Sequence, residues 1–283
     1  MKILVTGANG QLGSEIQKIA NLYPFQWVFT DVETLNLANL EEMPKQLNAF
    51  SPDVLINCAA YTAVDKAEQD TELAAILNHK AVAVMASWTA KNNCKFVHIS
   101  TDYVFDGNSK TPLTETAITN PINVYGATKL LGEQSCLENN PNTILIRTAW
   151  VYSSFGANFV KTMLRLMQEK ESLNIINDQI GSPTYAADLA ETILTIINSK
   201  KWVPGIYHYS NEGEISWFDF AMDIKEIMGF TTQINGIPTS EYPTPAKRPN
   251  YSLLDKSKIK DTFGLEIPNY KDSLQKCLEI LKK

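Results

Sequence analysis

Short apolar runs alternate with amphipathic stretches along the first half of the chain. The runs are KILVTG at the start, FQWVFTD ending at Asp31, DVLINCAA from Asp53, CKFVHIST from Cys94 and NTILIRTAWVY from Asn142. Each is rich in Val, Ile and Phe and mostly continuous rather than alternating, as in strands buried on both faces of a parallel sheet. The intervening spacing predicts helices over 11–20, 40–50, 66–92 and 125–138. This order predicts an α/β fold, a Rossmann-type doubly wound parallel sheet over residues 1–150. Ligands of such sheets bind outside the carboxyl ends of the strands.

Beyond Val151 the alternation loosens. Helices are predicted over 158–170, 186–199, 217–228 and 270–281, and short strands over 173–176 and 205–209. Pro238, Pro243, Pro245 and Pro249 mark an extended segment. Residues 151–283 read as a smaller, mixed substrate-binding part with some elements packing back on the sheet. No internal repeat, low-complexity tract or linker interrupts the chain.

Charge and composition narrow the class. The 283 residues carry 25 basic and 31 acidic side chains, a net charge of −6, and no Lys/Arg run exceeds two. This argues against a nucleic-acid footprint. No apolar stretch has the length of a membrane span, and the chain enters a strand at once, with no leader pattern. Cys58, Cys94, Cys136 and Cys277 lack metal or C-x-x-C spacing and read as free thiols of a reducing cytoplasm.

The first strand is followed by Gly7, Gly10 and Gly13, then by an amphipathic helix. Glycines permit a sharp turn and let a pyrophosphate approach, and the helix N-terminus offers that anion free N–H groups. The spacing is G-x-x-G-x-x-G, not the usual G-x-G-x-x-G of dinucleotide sites. Asp31 ends the second strand, where a carboxylate accepts hydrogen bonds from a ribose and repels a 2′-phosphate. In NCAAYTAVDKAE, small Ala59 and Ala60 suit a flat cofactor, with Tyr61, Thr62 and Val64 beside them. Asp65 reads as a helix cap, with Glu68 as its capping-box partner. Thr101 and Asp102 place a hydroxyl and a carboxylate after the fourth strand. Tyr125 and Lys129 share one helix face in Y-x-x-x-K. A neighbouring ammonium lowers a phenol from about 10 toward neutrality, which suits acid–base catalysis. His79, His98 and His208 share no ligand spacing. H-E-x-x-H, G-x-S-x-G and P-loop patterns are absent.

The glycine turn, STDYVFDG and YGATK resemble, in their order, the extended short-chain dehydrogenase/reductase superfamily. AAYTAVDKAE, STDYVFDG, NVYGATKLLGE, RTAWVY, INDQIGSPTYAADLA and RPNYSLLD narrow the resemblance to the dTDP-4-dehydrorhamnose reductase family, over nearly the whole chain. The resemblance implies reduction of the C4 ketone of dTDP-6-deoxy-L-lyxo-4-hexulose, a dTDP-4-keto-6-deoxy sugar, to dTDP-L-rhamnose by NADPH or NADH. It implies Tyr125 as proton donor, Lys129 as the residue holding the nicotinamide ribose and tuning Tyr125, and Thr101 as the hydroxyl on the ketone oxygen. Asp102 and Trp150 match the family's substrate contacts. Gly10, Gln11, Leu12, Asp31, Ala59, Ala60, Tyr61, Tyr125 and Lys129 match its cofactor contacts. Thr101 stands where a generic pattern has serine, and Tyr61 where relatives often carry histidine.

A diphosphate sugar needs cations. Lys161, Arg165 and above all Arg248, in the proline-flanked KRPNYSLLD, are candidates. The resemblance also implies a homodimer. Some members join subunits through Mg²⁺ on acidic residues near the C-terminus; no such ligands can be placed here, so no metal is expected. Two alternatives stay open. Another sugar-nucleotide enzyme of the superfamily is one, although Tyr103 after Asp102 removes the acidic pair of a dehydratase. A non-catalytic regulatory subunit of a synthetase is the other, against which Thr101, Tyr125 and Lys129 all stand.

Overall fold

The computed structural model describes residues 1–199 and 201–282. The strands are β1 (Lys2–Thr6), β2 (Gln26–Thr30), β3 (Val54–Asn57), β4 (Lys95–Thr101), β5 (Thr143–Thr148), β6 (Val151–Tyr152), β7 (Ser172–Ile176), β8 (Ile180–Gly181), β9 (Thr184–Tyr185), β10 (Gly205–Tyr209), β11 (Ile215–Ser216) and β12 (Gln233–Ile237). The helices are α1 (Gln11–Ile19), α2 (Met43–Phe50), α3 (Val64–Ala67), α4 (Thr71–Ala75), α5 (Ala81–Lys91), α6 (Val124–Asn139), α7 (Phe159–Glu169), α8 (Ala186–Asn198), α9 (Trp217–Met228), α10 (Ser257–Phe263) and α11 (Tyr270–Leu281).

The main sheet runs β10-β5-β4-β3-β1-β2, every pair parallel. The order reverses at β1, between β3 and β2, and the switch-point crevice opens there. Both faces of the sheet are covered. Ile3, Val5, Val54, Ile56, Ile144 and Ile146 pack with Leu12, Ile16, Leu189 and Ile193 of α1 and α8. Leu4, Leu55 and Phe96 pack on the other face with Leu47, Val82 and Met85 of α2 and α5. Successive strand residues point to opposite faces, so the apolar runs are continuous because each side has a helix layer to fill. Burying each Ile, Val or Leu contributes roughly 1.5–3 kcal/mol. A further core joins α7, α9 and α11 through Val160, Met163, Phe220, Ile224, Leu274 and Leu278.

Most elements lie where the hydrophobic pattern puts them, and the departures have causes. The strand expected over 205–209 is β10, which pairs with β5 in the main sheet. The NTILIRTAWVY run splits into β5 and β6 because Trp150 between them takes a left-handed backbone, φ +49°. The single helix expected over 66–92 is instead three. The chain breaks before α4, and a wide π-turn, Ile76–Lys80, joins α4 to α5. The proline segment contains a 3₁₀ turn at Thr239–Glu241 and is followed by α10, which no pattern announced. Among the described residues no helix is long and apolar enough to cross a membrane.

Candidate active site

A cleft of about 770 Å³ opens over the carboxyl ends of the central strands. Gly7, Gly10, Gln11 and Leu12 form one wall, with Asp31, Ala59 and Ala60 beside them, and Tyr125 and Lys129 also line the cleft. Gly7 needs its glycine twice over: φ is +65°, and a Cβ there would lie 2.7 Å from the Ala59 nitrogen. Gly13 does not line the cleft; a Cβ on it would lie 2.4 Å from the Gly7 carbonyl, so its role is to let α1 close on the turn. The Gly10 cap of α1 makes no side-chain hydrogen bond, and the first turn holds no acid. Its orphan N–H groups and the positive end of the helix dipole therefore remain for an anion. These features fit the pyrophosphate of a dinucleotide.

Asp31 stands at the end of β2. Desolvation works to raise its pKa, but hydrogen bonds from Thr34, Glu33 and Asn9 outweigh it and hold the carboxyl below its ordinary value. Asn9 Nδ2 lies 2.5 Å from Oδ2. The carboxylate is thus ionised and oriented at the cleft edge.

Tyr61 departs from its expected place. It is not among the cleft residues, whereas Thr62 is. Its hydroxyl donates to Asp70 at 2.8 Å, and its main-chain N–H and C=O are both held by Asn78, at 2.8 and 3.1 Å. Asn78 sits in the π-turn and also donates to Thr128 of α6 at 3.2 Å. Its carbonyl meets Gly132, where a Cβ would come within 2.0 Å. The wide turn thus clamps the loop after β3 to the helix that carries Tyr125.

That helix is capped by Asn123, whose Oδ1 accepts from Gly126 N at 2.7 Å. Glu68 accepts from Val124 N at 2.8 Å. Glu68 therefore serves α6 rather than a capping box with Asp65. Tyr125 and Lys129 lie one turn apart and are buried. Lys129 Nζ donates to the Ile99 carbonyl at 2.7 Å. Burial pulls this ammonium down to about 8, against the opposing pull of Glu133 and Cys136. Burial pushes the Tyr125 phenol up to about 12; the nearby Thr101 hydroxyl counters the shift and the Asp102 charge adds to it. The expectation that Lys129 brings this phenol toward neutrality is therefore corrected. The ammonium is aimed at a carbonyl, and desolvation governs the phenol.

Thr101 Oγ1 donates to Asp102 Oδ1 at 3.0 Å and accepts from Tyr103 N at 3.2 Å. Asp102 is 2% exposed, and its Oδ2 has no partner in hydrogen-bond geometry. Burial raises its carboxyl to about 6, opposed by Ser252 and Thr101.

The other substrate-side candidates come from distant segments. Trp150 is half-buried and stacks on Trp217 with ring centroids 3.7 Å apart. Arg248 is not a free cation: NH1 and NH2 grip Asp65 at 2.9 and 2.7 Å, and Ala246 N also donates to Asp65. Asp65 is correspondingly no helix cap; it lies inside α3 and straps the proline segment to the loop after β3. Lys161 donates to the Ser154 carbonyl, and Arg165 pairs with Glu169 on the exposed side of α7.

A family model described as the RmlD substrate binding domain matches residues 1–283. A dTDP-4-dehydrorhamnose reductase of Burkholderia thailandensis is 40% identical over 296 aligned positions, covering 99% of each chain. The chain belongs to the dTDP-4-dehydrorhamnose reductase family. The crystal structure of a family member from Clostridium acetobutylicum is 41% identical, with a TM-score of 0.96 over 100% of both chains. A Bacillus anthracis member, solved in complex with NADP, is 36% identical, with a TM-score of 0.94 over 99% of both chains.

Two sets of side-chain contacts around the cleft were not expected from the sequence, those of Gln11 and the Glu133–Arg147 pair. Gln11 carries more than a backbone contact: Oε1 accepts from Asn158 at 2.9 Å and Nε2 donates to the Val151 carbonyl at 3.3 Å. Glu133, one turn past Lys129, forms a buried bidentate pair with Arg147 at 2.7 and 2.9 Å. The i,i+4 spacing of Lys129 and Glu133 was visible, but its partner on β5 was not. Among the described residues no group of three or more His, Cys, Asp or Glu side chains is placed to hold a metal ion.

Proposed function

We propose that the protein reduces the C4 ketone of dTDP-6-deoxy-L-lyxo-4-hexulose to dTDP-L-rhamnose, using NADPH or NADH, as the last step of dTDP-rhamnose synthesis. The observation that carries this reading is the convergence of Thr101, Tyr125 and Lys129 beside a cleft with an uncapped helix N-terminus. Reductases of this name match along nearly the whole chain.

When bound, the reduced nicotinamide supplies a hydride to the carbonyl carbon. The chain supplies placement and a proton. Tyr125, with its pKa pushed up to about 12, keeps its proton throughout the neutral range. A phenol is still a stronger acid than a sugar alcohol, so passing that proton to the oxygen as negative charge grows there is favourable. Thr101, whose hydroxyl stands beside Asp102 and close to the phenol, orients the same oxygen. Lys129 keeps a buried positive charge against the Ile99 carbonyl at the cleft wall and holds the nicotinamide ribose. Asp31 meets the adenosine ribose, and the α1 N-terminus meets the diphosphate of the dinucleotide. A homodimer in the cytoplasm completes the proposal; a single monomer boundary in sedimentation velocity would contradict that assembly.

The test is a coupled assay in which the 4-keto-6-deoxyglucose nucleotide is supplied with its 3,5-epimerase. NADPH and NADH are tried separately. Epimerase-dependent oxidation of the cofactor with dTDP-rhamnose as product is expected. Cofactor binding without turnover would instead favour the regulatory-subunit reading.

A further inference from the structure

Trp150 is the one indole in the described chain whose own backbone is strained, at φ +49°. Left-handed geometry is costly for a bulky L-residue and persists only where its surroundings over-determine it. Those surroundings are specific. Trp217 lies parallel to the Trp150 ring, with an interplanar angle of 12° and centroids 3.7 Å apart. Phe159 backs Trp217 at 4.6 Å. Ser216 holds Trp217 at the first position of α9 by a reciprocal capping box with Asp219. Gly181 lies at the edge of the Trp150 ring, where a Cβ would come within 3.1 Å of two indole carbons and 3.2 Å of Ser252 Oγ.

These pieces form one unit. β8, carrying Gly181, pairs antiparallel with β11, which leads directly into Trp217. Ser252 N donates to the Ile180 carbonyl at 2.8 Å, fastening the late segment to the same strand. Ser252 in turn faces Asp102, next to Thr101. A rigid three-segment mount therefore holds one indole face and edge, and it is continuous with the hydroxyl and carboxyl groups beside Tyr125.

We propose that Trp217 and Gly181 are positioning residues for Trp150, the indole that the family resemblance puts against the keto-sugar. This deepens, and rests on, the reading of the site as a sugar-nucleotide ketone reductase. Trp217 does not touch the reacting atoms; it acts through Trp150.

Closely stacked indoles produce an exciton couplet in far-ultraviolet circular dichroism. The couplet should be present in the wild type and absent from Trp150→Phe, Trp217→Ala and Trp217→Phe. Trp217→Ala should raise KM for the keto-sugar about tenfold, from the loss of one aromatic stack. Its kcat should fall less, and its NADPH affinity by calorimetry should stay within about twofold, because the dinucleotide cleft is built from other elements. Trp217→Phe, which keeps a ring against Trp150, should recover most of the KM without restoring the couplet. Gly181→Ala should raise KM by pushing the indole edge. A wild type without the couplet overturns the mount whatever the turnover, as does Trp217→Ala with an unchanged KM. If the wild type fails to turn over the keto-sugar, the reductase reading fails instead. The mount is then judged by the couplet and by calorimetric affinity for dTDP-L-rhamnose, which Trp217→Ala must weaken for the proposal to stand.

Discussion

Asp102→Asn should make the protein more stable and less active. The carboxyl is buried, one oxygen has no partner, and its pKa rises from the ordinary 3.8 to about 6. The folded state therefore disfavours the ionised form by about 3 kcal/mol relative to the unfolded chain. The sign follows from proton binding. Between the two pKa values the folded state binds more protons than the unfolded one, so stability falls as pH rises through this window and stays low above it. The neutral amide removes that loss. Urea unfolding near pH 8 should show the variant more stable than wild type by up to about 3 kcal/mol, and near pH 5 the advantage should shrink to roughly half. An advantage that does not depend on pH would refute the reasoning, because Asp102 would then be ionised and satisfied in the fold. A drop in kcat/KM for the keto-sugar in the same variant would identify the strained carboxyl as one retained for function at a cost in stability.

Three further outcomes follow from the geometry. Tyr125→Phe should lower kcat by about 10²–10⁴-fold, with NADPH binding by fluorescence titration almost unchanged; near-normal turnover would remove Tyr125 from proton donation. Asp31→Ala should raise the NADPH:NADH ratio of kcat/KM about fivefold, since one carboxylate near a 2′-phosphate is lost in a largely aqueous setting; an unaltered ratio would exclude the ribose contact. Glu133→Gln leaves the Arg147 guanidinium, 3% exposed, without its counter-charge. It should cost about 3–5 kcal/mol in denaturant unfolding, and a loss below about 1 kcal/mol would mean that Arg147 finds another partner.

The sheet was legible because its signal is local. Ile3 and Val5 face one helix layer and Leu4 the other, so continuity of apolar residues alone marks a doubly covered strand. Helix 217–228 was equally legible, since the apolar spacing that marks it lies within the helix itself. The break within 66–92 was not. The π-turn beyond that break packs against α6, where Gly132 leaves room for the Asn78 carbonyl, a contact between segments far apart in sequence. Asp65 shows the same limit. Its spacing to Glu68 imitates a capping box, yet the charge that claims it, Arg248, is 183 residues away. The Tyr125–Lys129 pair could be found from its spacing. Its electrostatics could not, because desolvation, which no spacing records, sets both pKa values.

The central claim is that this cleft delivers a hydride to C4 of a dTDP-linked keto-sugar while Tyr125 supplies the proton. The most direct measurement uses NADPH deuterated at both nicotinamide C4 positions, with the epimerised keto-sugar nucleotide, and reads the product by nuclear magnetic resonance. Deuterium on C4 of dTDP-L-rhamnose, formed by the wild type and nearly abolished in Tyr125→Phe, is the predicted result. Product formed without deuterium at C4, or no product despite bound NADPH, would contradict it.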